Sequence, residues 1–399
     1  MNTHRVLYID TPFEHEPGGD KNRSRFLWQI LRESGTADLA LVLPPSTLSR
    51  PQTPFEHFPP ALTLPATKGS WWQSESVFHF SDADQRQFQD LLAKRNYDLV
   101  VSRFHSPAEL CHIAARHRTR PGIILDLDMV SSRLVGLTWK QNPSLKNRWF
   151  LFERLKLQRF ERQLLQNPWL FALSNPVEIE QLRATHGNPP APGRLIELPN
   201  MMPPQKVSND GPRQSVILFF GSMNSSANLD GFRYLMDQIL PRIEKELKER
   251  NVRIHVAGKN PPPWFQERIR KSGTDRVRLV GAVDSMDAAI AASLFVLLPL
   301  RIASGTRTRI LEAAAQERAV VTTPIGAEGI DVGEHAEIHA DADGIAASVR
   351  RFLASPAEAD MQGQELAKRC RARYSQTRIA RELRHEIEVF LQTRTEAAR

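Results

Sequence analysis

Short, continuously apolar runs alternate along this chain with longer stretches in which apolar residues recur every three or four positions. RVLYID (5–10), LALVLP (39–44), YDLVVSRFH (97–105) and GIILDLD (122–128) are apolar on both alternating faces, the pattern of strands buried inside a parallel sheet. FLWQILRESG (26–35), SPAELCHIAARH (106–117) and ERLKLQRFERQLLQ (153–166) carry helical periodicity. WLFALS (169–174), the helix NPVEIEQLRATHG (175–187) with its Asn cap and terminal Gly, and RLIELPN (194–200) close this half. Pro44 to Ser81, rich in Pro, Ser and Thr, interrupts the alternation and reads as an irregular excursion.

From Met201 to Gln214 periodicity is lost and Pro, Gly and Asn accumulate, which marks an interdomain linker. The alternation then restarts with SVILFFGS (215–222), the helix LDGFRYLMDQILPRIEKELKER (229–250), VRIHVAG (252–258), the helix PPWFQERIRKSG (262–273) and VRLVG (277–281). Strand and helix alternating twice over predict an α/β protein of two Rossmann-like, doubly wound parallel-sheet domains. The expected division is a first domain at 1–203, a linker at 204–214, a second domain at 215–370 and a helical tail at 371–399. That tail belongs to a long amphipathic region with a break near Tyr374, and it is expected to pack back on the first domain.

The most informative stretch is FVLLPLRIASGTRTRILEAAAQERAVVTTPIGAEGI (295–330), which reads strand, small-residue loop, helix, strand. Ser304, Gly305 and Thr306 allow a tight turn, so the helix that follows faces the carboxyl end of the strand, where its free N–H groups and dipole favour an anion. Arg301, Arg307 and Arg309 add positive charge, and Arg307 is the first choice for a diphosphate ligand because neighbouring helical residues diverge by about 100°. Glu312 lies among apolar and small residues, where an unpaired carboxylate is costly. A ribose diol would satisfy it; a pairing with Arg309 is the plainer alternative. Near the start of the chain, Gly18 and Gly19 form a weaker glycine loop after the first strand, without the GxGxxG fingerprint.

The 399 residues carry a net charge of +8, which points to an anionic partner. A basic and aromatic patch lies between Arg103 and Arg162, with Trp139, Trp149, Phe150, Phe152 and Phe160 interleaved with Lys and Arg. The preferred reading is an amphipathic helix with its aromatics packed inward; the competing one is a helix resting on an anionic membrane surface. No nucleic-acid-binding module accompanies the charge, so no nucleic-acid partner is expected. No apolar run is long enough to span a bilayer and the first residues lack a signal-peptide pattern. Cys111 and Cys370 show no metal or redox spacing, so the expected location is cytoplasmic, with the inner face of the membrane as the alternative surface.

ILFFGSMNSSANLDGFRYL, VRLVGAVD and the 295–330 stretch, with PGGDKNRSRFLWQIL, SRFHSP, IILDLD and LIELPN in the first half, resemble the GT-B glycosyltransferases, specifically glycosyltransferase family 4. The resemblance implies a deep interdomain cleft, an acceptor-binding first domain and a second domain holding a nucleotide-diphosphate sugar. It places Gly221, Ser222 and Lys259 beside the diphosphate and sugar, backbone near Ala282 and Val283 at the base, and Ser304, Gly305, Thr306 and Arg307 along the phosphates or donor sugar. Glu312 matches the glutamate that holds the ribose. Many members carry a second glutamate at the position of Ser304, and this chain departs there.

The implied activity is retaining transfer of a sugar to a hydroxyl of a glycan, a lipid-linked glycan or another acceptor. Its alternatives are a catalytically silent binding protein or a nucleotide-sugar epimerase or hydrolase on the same fold. Asp128 matches a family position facing the transferred sugar, and His105 ends a strand where a parallel sheet gathers its ligand loops, so both are catalytic candidates. Asp126 and Asp128 share one strand face in a spacing that suits a divalent ion, but strand-end hydrogen bonding is preferred and no metal or cofactor is expected.

Overall fold

The computed structural model describes residues 4–11, 19–45, 58–141, 143, 147–204, 213–302, 305 and 307–397. Contacts divide the chain into two compact units, one of Met1–Arg133, Trp149–Asn200 and Gln376–Arg399, the other of Leu134–Arg148 and Met201–Ser375.

In the first unit, β1 (His4–Asp10), β2 (Gly35–Leu43), β3 (Leu62–Pro65), β6 (Leu99–Arg103), β7 (Gly122–Asp128), β8 (Leu170–Leu173) and β9 (Arg194–Glu197) form one sheet in the order β3-β2-β1-β6-β7-β8-β9. Every pairing in it is parallel. Each residue of β6 and β7 is buried, which is why these segments are apolar on both faces. Among the described residues of the Pro44 to Ser81 stretch, β3 extends the sheet, and β4 (Thr67–Lys68) pairs antiparallel with β5 (Phe78–His79). β3 is an edge strand, where Pro65 removes no ladder hydrogen bond that the sheet needs. Helix Gln376–Ala397 lays Ile379, Leu383, Ile387 and Phe390 on this unit and ties Arg394 to the Arg120 carbonyl at 2.7 Å.

The second unit holds β10 (Val216–Phe220), β11 (Arg253–Ala257), β12 (Val277–Gly281), β13 (Phe295–Leu298), β14 (Val320–Thr322) and β15 (Glu337–Ile338), all parallel, in the order β12-β11-β10-β13-β14-β15. The long helix read at 229–250 is observed as three joined pieces: Ser226–Tyr234, a π-helical turn at Leu235–Ile239, and Leu240–Glu249. Pro241 is the physical reason, since it has no N–H for the α-helical ladder and its ring crowds the preceding turn. The helical tail breaks at Ser375, between Pro356–Tyr374 in the second unit and Gln376–Ala397 in the first.

The carboxyl ends of the central strands of the first unit are held by buried charge. Arg23 donates from Nη2 and Nε to the two Asp126 oxygens at 2.7 and 2.9 Å and from Nη1 to the Leu198 carbonyl at 2.6 Å. Arg103 donates to Asp126 at 3.0 Å and to Asp128 at 3.2 Å. Each guanidinium thus meets carboxylates from β7, and the ends of β6, β7 and β9 are fixed together. Beside them Asp10 accepts from the Tyr8 hydroxyl at 2.9 Å and the Thr11 N–H at 2.8 Å.

Substituting Asp126→Asn leaves two buried guanidinium groups short of one charge, and urea unfolding should show a loss of about 3–5 kcal/mol. A loss below about 0.5 kcal/mol, the range of an uninvolved surface change, would refute the anchoring role. Asp10 gives a pH signature. Burial raises its carboxyl from 3.8 to about 6. Because the folded value is the higher one, this group favours folding most below the unfolded value and that contribution is lost as the pH rises from about 4 to about 6. Unfolding free energy of the native protein minus that of Asp10→Asn should therefore fall by about 3 kcal/mol across this window. A pH-independent difference would show that Asp10 is not the titrating group.

Candidate functional site

In the second unit the sheet order reverses at β10, which pairs with β11 on one side and β13 on the other. Chains leaving the carboxyl ends of β10 and β13 diverge there, and ligands of doubly wound folds bind at such a switch point. The loop after β10 begins at Gly221, whose N–H donates to the Ala257 carbonyl at 3.0 Å, while the Gly258 N–H donates to the Gly281 carbonyl at 2.7 Å. These contacts fasten the loops after β10, β11 and β12 side by side. Gly258, at φ 155°, has no room for a side chain: a Cβ would lie 1.7 Å from the Gly221 carbonyl oxygen. Gly221, at φ 144°, is equally constrained, with a Cβ 2.7 Å from both the Arg309 guanidinium carbon and the Asn228 amide nitrogen.

Arg309 is thus brought against the Gly221 loop from the helix Thr308–Ala315. Its Nη1 donates to Asn228 Oδ1 at 2.6 Å, and Asn228 donates to the Ser222 carbonyl at 2.5 Å. Arg309 is half-buried, and the surrounding protein lowers its proton affinity, with the Glu312 charge acting in the opposite sense. Arg309 and Glu312 are three residues apart and share a helix face. Glu312 itself is half-buried. Gly305, in the left-handed region at φ 74°, turns the chain into this helix. The first turn of the helix carries N–H groups that have no intrahelical acceptor.

The other two arginines of the loop are placed differently. Arg307, the first choice from sequence, is buried and donates from Nε to the Ile325 carbonyl at 3.1 Å, toward the short helix Pro324–Ala327. Arg301 forms a two-pronged ion pair with buried Asp230, at 2.7 and 3.0 Å, and stacks over Tyr234. Of the three, Arg309 is the one set against the glycine loop. Its spacing from Glu312 was the available signal, while Asn228 and Asp230 gave only the weak one of polar residues inside a helix that also supplies core.

Lys259 is exposed in the loop after β11, and its carbonyl accepts from the Met223 N–H at 3.0 Å. Ser222 donates its hydroxyl to Asn224 Oδ1 at 2.7 Å. The Val283 side chain lines a cavity of about 350 Å³ between the sheet and helix Met286–Ala292. Gly18, Ser304 and Thr306 lie outside the described residues, as does 205–212 of the linker.

In the first unit, Gly19 opens the helix Gly19–Glu33 that carries Arg23. Asp128 sits at the end of β7 in the left-handed region, φ 61°, with only 4% of its surface exposed. Its Oδ2 accepts from Arg103, and Asn200 Nδ2 approaches Oδ1 at 3.5 Å. Although burial alone would raise its carboxyl, Arg103 and Arg23 hold it below the usual carboxylate range. Such an aspartate anchors strand ends and is poorly placed to exchange a proton. The same guanidinium groups occupy the face that a divalent ion would need on Asp126 and Asp128, and among the described residues no group of three or more His, Cys, Asp and Glu is arranged to hold a metal. His105 packs against Phe160, and burial lowers its imidazole to about 4, so it is neutral at neutral pH. Its Nε2 meets no hydrogen-bond partner among the described residues.

The two units treat arginine in opposite ways. Carboxylates hold the charge of Arg23 more firmly than water would, raising its proton affinity, whereas that of Arg309 is lowered because protein has replaced more hydration than it has supplied counter-charge.

Residues 214–355 match a family described as glycosyl transferases group 1. None of the curated proteins matches the chain by sequence. Solved structures align with it almost end to end. Anabaena HepE in complex with UDP and glucose is 12% identical, with a TM-score of 0.63 over 96% of this chain and 99% of its own. Sucrose-phosphate synthase from Thermosynechococcus elongatus is 16% identical, with a TM-score of 0.65 over 99% of this chain and 100% of its own. A mutant of S. aureus TarM in complex with fondaparinux, alpha-GlcNAc-glycerol and UDP is 9% identical, with a TM-score of 0.67 over 97% of this chain and 100% of its own. At these identities the structural likeness speaks for the fold. Residues 214–355 thus match the glycosyl transferases group 1 family, and the chain as a whole has the GT-B fold of these glycosyltransferase structures.

Proposed function

We propose that this protein transfers a sugar, with retention of configuration, from a nucleotide-diphosphate sugar to a hydroxyl of a glycan or lipid-linked glycan. The observation that carries the reading is the cluster of Gly221, Asn228, Arg309 and Glu312 at the switch point of the matched domain. In this reading Glu312 accepts hydrogen bonds from the ribose hydroxyls. The diphosphate lies over the start of helix Thr308–Ala315 and against the Gly221 backbone, where helix dipole, N–H groups and the Arg309 charge converge. The same groups stabilise the departing nucleoside diphosphate as its bond to the anomeric carbon breaks, which is electrostatic catalysis by donors already in place. Lys259 adds an exposed countercharge beside them. The complexes of HepE with UDP and glucose and of TarM with UDP support a nucleotide-sugar donor here.

No divalent ion or cofactor takes part in this reading. It assigns Asp128 and His105 to support of the first unit's strand ends, with the acceptor bound by the loops around them. The enzyme works in the cytoplasm, at the inner face of the membrane.

Ser304, where many related enzymes have a glutamate, favours keeping a binding-only protein as the second reading. Turnover separates the two, since a silent protein binds donor and transfers nothing. An epimerase or hydrolase would convert donor without acceptor.

Two measurements test the donor site. In a calorimetric screen of nucleotide-diphosphate sugars, one donor should bind, and Glu312→Ala should weaken it by about tenfold or more through loss of a charged hydrogen bond. Unchanged affinity in that variant would sink the ribose assignment. Arg309→Met should weaken a nucleoside diphosphate by about tenfold while leaving the parent nucleoside within about twofold, because only the diphosphate meets the guanidinium. Equal losses for both ligands would instead indicate a collapsed loop.

A further inference from the structure

The helix Trp149–Leu164 packs only part of its aromatic surface inward: Phe160 lies against the core, while Trp149 and Phe152 are exposed. Its inward face carries Glu153, Leu157, Glu161 and Leu164, all buried. Both carboxylates are occupied there. Glu153 accepts from the Ser74 hydroxyl and the Glu75 N–H, and Glu161 accepts from the Ser132 N–H at 3.0 Å and its hydroxyl at 2.6 Å. Outward stand Leu151, Phe152 and Leu155, the last two more than 60% exposed, followed by exposed Arg159 and Arg162. These two glutamates are the only acidic residues of the helix, so its outer surface is apolar and cationic without a carboxylate.

The turn at 70–76 extends this surface. Lys156 donates to the Trp71 carbonyl at 2.6 Å and Glu153 holds Ser74, so the turn is fastened to the helix. It presents Trp71 at 82% exposure and Trp72 at 62%, with Glu75 as its one exposed carboxylate. Of the nine large hydrophobic side chains exposed among the described residues, these two tryptophans, Trp149 and the three outward residues of the helix make six. Apolar exposure is concentrated here instead of scattered, and such concentration marks an interaction surface.

We propose that this face of the first unit docks on an anionic lipid bilayer, with the indoles and the Phe152–Leu155 ridge entering the headgroup and acyl boundary and Arg159 and Arg162 meeting lipid phosphate. The charge complementarity argues for this occupant: a surface that sends its glutamates inward and its arginines outward is matched by a negative sheet of headgroups over hydrocarbon. No helix among the described residues is long and apolar enough to cross a membrane, so the attachment is to one surface. The inference stands independently of the donor site.

Co-sedimentation with phosphatidylcholine vesicles, with and without phosphatidylglycerol, tests it. The full-length protein should bind the vesicles containing phosphatidylglycerol, bind phosphatidylcholine alone more weakly, and release as salt rises. Phe152→Ser with Leu155→Ser, Trp71→Ser with Trp72→Ser, and Arg159→Glu with Arg162→Glu should each reduce binding by about tenfold or more. Because these side chains are exposed, the midpoint of thermal unfolding should not move, which separates lost docking from lost folding. Absence of binding to the anionic vesicles, or variants that bind like the unaltered protein, would overturn the proposal. A dimer that Phe152→Ser with Leu155→Ser dissolves, in a protein that ignores vesicles, would assign the face to a second copy of the chain.

Discussion

Parallel pairing of β10 with a strand on each side is the constraint from which the candidate site of the second unit follows. A parallel strand with two partners releases its chain only at its carboxyl edge, and its partners release theirs at the same edge. Three loops must therefore share a small space after β10, β11 and β12, and they do so by backbone contact, Gly221 to Ala257 and Gly258 to Gly281. The fourth chain, leaving β13, supplies a helix start and the Arg309–Glu312 face. This geometry is assembled from main chain, and the charged groups are added from one helix.

The first unit uses the same topology for a different end. Its strand ends carry charge as well, but Arg23 and Arg103 are met by Asp126 and Asp128 and by main-chain oxygen, and all of these groups are buried. Burying ions is expensive, and a site saturated by its own counter-ions gains rigidity while giving up reactivity. Asp128 and Phe104 both hold left-handed backbone at the ends of adjacent strands, a strain tolerated because the surrounding ion pairs and the stacking of Arg103 on Phe104 over-determine it. The two halves thus divide the work of charge: one spends it on holding a loop platform, the other leaves it available.

Most of the fold was legible because parallel strands buried on both faces have to be apolar throughout, and their spacing announces the crossover helices. What escaped was decided by orientation. Arg307 and Arg309 are indistinguishable as residues, and only the phase of the helix start, with Arg309 three before Glu312, turns one toward the glycine loop and the other toward Ile325. Asp128 looked available because a sequence does not show that Arg23, more than a hundred positions earlier, folds over it. The helix Trp149–Leu164 was half legible: Phe160, Leu157 and Leu164 pack inward as their spacing suggests, while two glutamates satisfied by Ser74 and Ser132 share that face and leave Phe152 outside. The short strand Leu62–Pro65 was hidden by its own proline, which an edge position tolerates.

The contact between Gly258 and the Gly221 carbonyl carries a consequence for how such a protein diversifies. A side chain at either position collides with main chain or with the Arg309–Asn228 pair, so mutation there displaces the loops themselves. Side chains that stand on the same loops, such as exposed Lys259 and Asn260, can vary without moving the main chain beneath them. The loop floor is fixed by the absence of atoms, and change is confined to the side chains that stand on it.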